Sequence, residues 1–123
     1  FMSKAGKFIT QNYTPQAHPV NAFKTHCQIA LREQYQGTPL EGPISLSLVF
    51  ILPRPQSLCR KKDPTGRIWH ISKPDTDNLA KAFKDALKSM AWRDDSQVSR
   101  LVATKCYAAI DETPAVEAMI ETL

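Results

Sequence analysis

A chain of 123 residues has room for one domain and one core. Its 42% hydrophobic and 23% charged residues are ordinary for a soluble globular fold, and its longest apolar run, Leu48 to Leu52, is far too short to span a bilayer. A net charge of +4 mildly favours an anionic partner.

No charged segment followed by an apolar stretch opens the chain, so no signal peptide is read and the expected compartment is cytoplasmic. The opening Phe1-Met2 points to residues upstream. Three cysteines, Cys27, Cys59 and Cys106, are widely separated and form no Cys-x-x-Cys pair. That pattern excludes a common zinc motif and a thioredoxin-like site, and it fits reduced thiols, two of them filling core space.

In chain order, Lys7 to Thr10 reads as a short strand. His18 to Tyr35 reads as a helix, with Val20, Phe23, Cys27, Ala30, Leu31 and Tyr35 recurring near a 3.6 period. "QGTPLEGP" turns the chain. "ISLSLVFIL" sets Ile44, Leu46 and Leu48 on one face and Ser45 and Ser47 on the other, then becomes wholly apolar as a central strand does; Pro53 and Pro55 end it.

A basic loop follows, to Ser72. Between Arg54 and Lys73 stand Arg54, Arg60, Lys61, Lys62, Arg67 and Lys73 against the single acid Asp63, which is 6 of the chain's 16 basic residues. This is either a solvated loop or a phosphate-contacting strip. A helix from Asn78 to Met90 carries an amphipathic stripe of Leu79, Ala82, Phe83, Ala86, Leu87 and Met90. Gln97 to Ile110 reads as a long strand, "DETP" as a turn, and "AVEAMIETL" as a last strand paired with the one before. Strands and helices mix without strict βαβ alternation. The expected fold is therefore α+β: one two-layer domain over residues 1–123, a mixed sheet with two main helices.

Four carboxylates surround the second helix. Pro74 favours an extended Lys73. If that conformation continues, Asp75 and Asp77 point to one side, roughly 6–7 Å apart along the backbone. Carboxylates so placed can converge on a hard divalent cation such as Mg²⁺, which takes oxygen ligands and leaves room for substrate phosphate. Asp77 is also a natural N-cap for a helix starting at Asn78. The structural alternative makes Asp77 a cap, Asp75 a solvated side chain and Asp94-Asp95 a polar turn. For Asp94 or Asp95 to join Asp75, "AWRDD" must fold back. Lys81 lies four residues beyond Asp77, on the same helix face, where it either pairs with that carboxylate or faces a substrate phosphate.

Other residues are less specific. His18, His26 and His70 show no ligand spacing; His26 reads as a surface or boundary position, and His70 lies close enough in sequence to approach Asp75. No nucleophile elbow and no glycine-rich phosphate loop is present, with only four glycines in the chain. Trp69 and Trp92 flank the acidic segment and suit either core packing or base stacking.

"HISKPDTDNLAKAFKDAL" followed by "WRDDSQV" resembles the RusA family of Holliday-junction resolvases. The family pattern is Asp-x-Asp-Asn-Leu-x-Lys, a helix with Asp-Ala-Leu, then Trp-x-Asp-Asp-x-Gln-Val. Each element has its counterpart in Asp75, Asp77, Asn78, Leu79, Lys81, Asp85-Ala86-Leu87, Trp92, Asp94, Asp95, Gln97 and Val98. "PRPQS" and the basic loop look like phage-type members. The resemblance implies a Mg²⁺-dependent endodeoxyribonuclease that acts as a homodimer on four-way junction DNA in recombination and repair. It implies catalytic roles for Asp75, Asp77, Asp95 and Lys81, the three aspartates being the metal ligands and Asp94 the second choice. It places DNA contacts on Arg60, Lys61, Lys62, Arg67 and Lys73, and implies neither a membrane nor a small-molecule cofactor beyond the metal. The segment before the first helix is short for this family, so the sheet's first edge is expected to be incomplete. Two other readings remain: a metal-dependent nuclease or phosphoesterase on simpler DNA, and a non-catalytic DNA-binding module with structural acids.

Overall fold

In chain order the elements are β1 (Ala5–Gln11), α1 (Val20–Gln34), β2 (Ile44–Leu52), β3 (Ile68–Trp69), α2 (Thr76–Leu87), β4 (Val98–Tyr107) and β5 (Ala115–Thr122). The computed structural model describes residues 5–11, 20–35 and 37–123, and His18 lies outside them. The strands form one mixed sheet in the order β1-β5-β2-β4-β3. β2 runs parallel to β4 and antiparallel to β5; β1 pairs antiparallel with β5, and β3 antiparallel with the end of β4. With two helices against it, this is the α+β architecture that the sequence pattern calls for.

The alternation read in β2 positions the core. Ile44, Leu46, Leu48, Phe50 and Leu52 are all buried and share one cluster with Cys27 and Leu31 of α1 and Leu79, Ala80, Phe83, Ala86 and Leu87 of α2. Both helices therefore cover the same sheet face. Phe83 is fully buried, a side chain worth about 2–3 kcal/mol by transfer from water. Gln28 Nε2 donates to Ala86 O at 3.0 Å and ties α1 to α2. Ala82 and Met90 are only half-buried, and Ala80 takes the place in the stripe expected of them.

The last strand departs from expectation. β5 forms, but beside β1 and β2 instead of β4. Its register explains why: Val116, Ala118 and Ile120 lie opposite Phe50, Leu48 and Leu46, so two apolar rows are buried together. β4 offers no such row, because Ser99, Arg100, Leu101 and Val102 are exposed. The expected gap at the first edge is filled, since β1 pairs with β5 along its whole length.

α2 begins at Thr76, two residues before the expected start, and ends at Leu87. Asp75, with extended backbone (φ −74°, ψ 152°), takes the N-cap position that the sequence pattern gives to Asp77. The Lys73–Pro74 peptide is cis. Beyond the helix, Ser89 adopts φ 73°, the left-handed region, and turns the chain toward Trp92.

Candidate active site

Asp75 and Asp77 occupy the N-cap and the first turn of α2, where unsatisfied amides favour negative charge. Both are exposed. The Asp75 carboxylate makes no capping hydrogen bond, so its oxygens remain available. Lys81, one turn on, is also exposed, and no ion pair joins it to Asp77 or to any other described carboxylate. The structural pair considered for Lys81 is thus not formed.

The second acidic pair sits elsewhere. Asp94 caps a short 3-10 turn, its side chain accepting from Ser96 N–H at 3.2 Å while the Gln97 side chain accepts from the Asp94 N–H at 3.0 Å. Gln97 also accepts from Arg93 N–H at 2.8 Å and donates to the carbonyls of Leu40 and Gly42, both at 3.0 Å. Asp94 and Gln97 are therefore structural: they lock "WRDDSQV" into one shape. That shape presents Asp95. The fully buried Trp92 donates from Nε1 to Asp95 Oδ1 at 2.9 Å, fixing a half-buried carboxylate and leaving Oδ2 open. Trp92 is thus a core residue; Trp69, by contrast, is 77% exposed, beside a groove lined by Val49, Arg67, Ile68, Thr104 and Cys106.

The two acidic pairs are brought to opposite ends of α2 and β4. Lys105, near the end of β4, donates from Nζ to Pro74 O at 2.9 Å, which places Asp75 there. Asp95 immediately precedes the turn into Val98, at the start of the strand. Seven strand steps separate Val98 from Lys105, about 23 Å at about 3.3 Å each. The 12-residue α2, about 18 Å long, spans the same gap. Consistently, no three Asp, Glu, His or Cys side chains among the described residues gather closely enough to hold a metal ion. Asp75 and Asp77 by themselves offer hard oxygen donors suited to Mg²⁺, which commonly takes only one or two carboxylates.

The basic strip divides by partner. Arg54 organises the loop, donating from Nε to Leu58 O at 2.7 Å, from Nη1 to Gly66 O at 2.9 Å and from Nη2 to Pro64 O. Asp63 accepts from the Arg60 N–H at 2.8 Å and from its guanidinium at 3.3 Å, and these bonds, the backbone one first, hold the Asp63 carboxyl below its ordinary value. Arg67 forms a bidentate pair with Glu112, closest at 2.6 Å, and reaches Glu117 at 3.6 Å. The Glu112 bond raises the Arg67 guanidinium and lowers the Glu112 carboxyl. Lys61, Lys62 and Lys73 are exposed and face no carboxylate partner among the described residues.

His70 is buried, stacks its ring on Tyr107 with centroids 4.4 Å apart, and accepts from Ser72 N–H at 3.3 Å. Burial, and then the nearby Lys105, push its pKa below the ordinary imidazole value, so it serves as a neutral packing residue. His26 is half-buried on α1, as a boundary position. Cys27 and Cys106 are buried, Cys59 is exposed, and all three thiols are free. Burial pushes the Cys27 thiol up to about 12. Sequence reasoning misses Lys105; a lone lysine within the apolar strand "LVATKCY" is the available signal. No helix among the described residues is long and apolar enough to cross a membrane.

Comparison with known proteins agrees with this arrangement. The family model described as "Endodeoxyribonuclease RusA" matches residues 2–121. The chain is also 34% identical over 103 residues to the uncharacterized protein YqaN of Bacillus subtilis (strain 168), a match covering 80% of this chain and 70% of that protein. An acidic pair free at a helix start, an unpaired lysine one turn on and a tryptophan-anchored aspartate fall within a match of nearly full length: the chain belongs to the RusA endodeoxyribonuclease family.

Proposed function

We propose that the protein is a Mg²⁺-dependent, structure-specific endodeoxyribonuclease that resolves four-way DNA junctions by paired nicks, as a homodimer, in recombination and repair. The observation that carries this reading is the Asp75 carboxylate left unbonded at the start of α2, with Asp77 on the same turn and the unpaired Lys81 ammonium beyond it. Asp75 and Asp77 hold the cation. Mg²⁺ bound there offsets the carboxylates' repulsion of phosphate and makes water a better nucleophile near neutral pH. Lys81 faces the scissile phosphate and stabilises the negative charge that grows on it. Lys61, Lys62 and Lys73 contact flanking phosphates, and Arg60 and Arg67 join them by exchanging a carboxylate for a phosphate.

A homodimer accounts for Asp95. Within one chain this carboxylate sits about 20 Å from the Asp75 end, by the spacing of residues along β4. A two-fold axis that sets two β4–α2 units antiparallel brings Asp95 of one copy to Asp75 and Asp77 of the other. It also presents two identical sites to a substrate with two-fold symmetry.

The test is cleavage of a synthetic four-way junction with and without Mg²⁺, against duplex of the same sequence. Asp75→Asn and Asp95→Asn each remove a charge at nearly constant shape, and each is expected to lower nicking by at least about 100-fold while junction binding persists. Mixed and re-equilibrated, the two variants form heterodimers in which one site keeps both carboxylates, so single-strand nicking returns. Normal cleavage by Asp75→Asn would sink the site assignment. No recovery on mixing would place Asp95 outside a shared site.

A further inference from the structure

The approach to α2 is held by side chains alone. Among the described residues, Ile71 to Pro74 make no backbone–backbone hydrogen bond. Ser72 N–H donates to His70 Nδ1 at 3.3 Å. From the other side Lys105, half-buried on β4, donates to the carbonyls of both Ser72 and Pro74. The Pro74 carbonyl belongs to the peptide that continues into Asp75, so one ammonium grips the chain directly before the helix cap.

Lys105 has no carboxylate partner among the described residues. A partly desolvated ammonium needs acceptors for its three protons, and the two carbonyls supply them. These contacts reach 33 and 31 residues back along the chain, linking a sheet strand to a segment with little else to fix it. We infer that Lys105 is a positioning residue for the acidic pair: from β4 it sets where the chain enters α2, and thereby how Asp75 and Asp77 present their oxygens. It touches neither metal nor DNA, which separates it from Lys81. The inference rests on the proposed metal-dependent cleavage only for its functional consequence; the anchoring is independent of it.

Lys105→Met keeps the aliphatic stem and removes the donors. Two readouts apply: hydrogen exchange of the amides from 72 to 79 in the protein without metal, and Mg²⁺ binding by calorimetry. Exchange in that stretch is expected to accelerate by at least about tenfold, with the β2 and β5 amides unchanged. Mg²⁺ affinity is expected to fall about tenfold, as loss of an outer partner of a metal ligand commonly causes. Junction cleavage should then return to within a few-fold of the parent at saturating Mg²⁺. Lys105→Arg, which donates to both carbonyls, should restore most of the protection. If Lys105→Met does not fold, Lys105→Gln, with a shorter reach, is read in its place. Parental exchange from 72 to 79 in the folded variant overturns the inference, whatever the metal result. Failure of the parent itself to bind Mg²⁺ or cleave junctions refutes the proposed function instead, and leaves the exchange result to decide on Lys105.

Discussion

The Trp92–Asp95 bond offers a way to separate two duties of one carboxylate. Trp92 is fully buried, and its indole N–H meets Asp95 Oδ1 at 2.9 Å. Trp92→Phe removes that donor and part of a buried ring system. A hydrogen bond to a charged group contributes about 1.5–3 kcal/mol. Asp95 is half-buried, so water replaces part of the missing bond and the lower end of that range applies. Adding about 1–2 kcal/mol for the smaller ring volume gives a destabilisation of about 3 kcal/mol. At this chain length that corresponds to a Tm lower by roughly 10 °C.

Asp95→Ala removes the acceptor, whereas Asp95→Asn keeps an oxygen for the indole but discards the charge. Chemical denaturation should therefore find Asp95→Asn within about 1 kcal/mol of the parent. In a double-mutant cycle, Trp92→Phe and Asp95→Ala should couple by about 1 kcal/mol or more, because they delete the same bond. In the junction assay the order reverses. Asp95→Asn should be nearly inactive while stable, and Trp92→Phe should retain activity at temperatures where it is folded. Additivity within about 0.5 kcal/mol would mean that the indole does not anchor Asp95, and the role given to this motif would be wrong.

Lys81→Ala should leave folding and Mg²⁺ binding intact and cut single-turnover cleavage by about 100-fold, with poor rescue by Arg, whose fork is larger and differently hydrated; turnover within a few-fold of the parent returns Lys81 to the surface. Replacing Lys61 and Lys62 together by Ala should weaken junction binding and reduce the salt slope by about 0.9 for each phosphate no longer neutralised, while an unchanged slope means a merely solvated loop. Arg67→Gln should instead lower stability more than it changes that slope, because this guanidinium is already bonded to Glu112 and Glu117, and the stability loss should shrink in acid as Glu112 protonates below the ordinary glutamate range.

Much of the molecule is legible from residue patterns. The β2 alternation locates the centre of the sheet to the residue, because side-chain period and burial are locked together in a strand. The α2 stripe is legible for the same reason at a helical period. The cap is not, because Asp75 and Asp77 are equally good caps by residue type, and the choice depends on where the cis Lys73–Pro74 peptide delivers the chain. The β5 partner is misread because its apolar row fits β2, a preference that exists only between strands distant in sequence. The motif names every acidic residue yet not their separation, since spacing along a chain does not reveal that α2 and β4 run past each other. Lys105 escapes because its partners are carbonyls, which any residue carries.

The place of β5 in the sheet ties the chemistry to a chain synthesised at least through that strand. Every residue assigned to the site precedes Ala115, but β5, which follows them all, lies between β1 and β2. A nascent copy stopped before it has already made the acidic residues, the lysines and the motif tryptophan. What it lacks is the strand that covers Leu46, Leu48 and Phe50 along one side of β2 and joins β1 to the rest. Without that cover β2 is an open apolar edge, the floor on which both helices rest is incomplete, and nothing rigid aims the carboxylates. For a protein whose proposed reaction breaks DNA, this is a built-in safeguard: activity arrives with β5, and a prematurely ended copy carries the residues of a nuclease without its geometry.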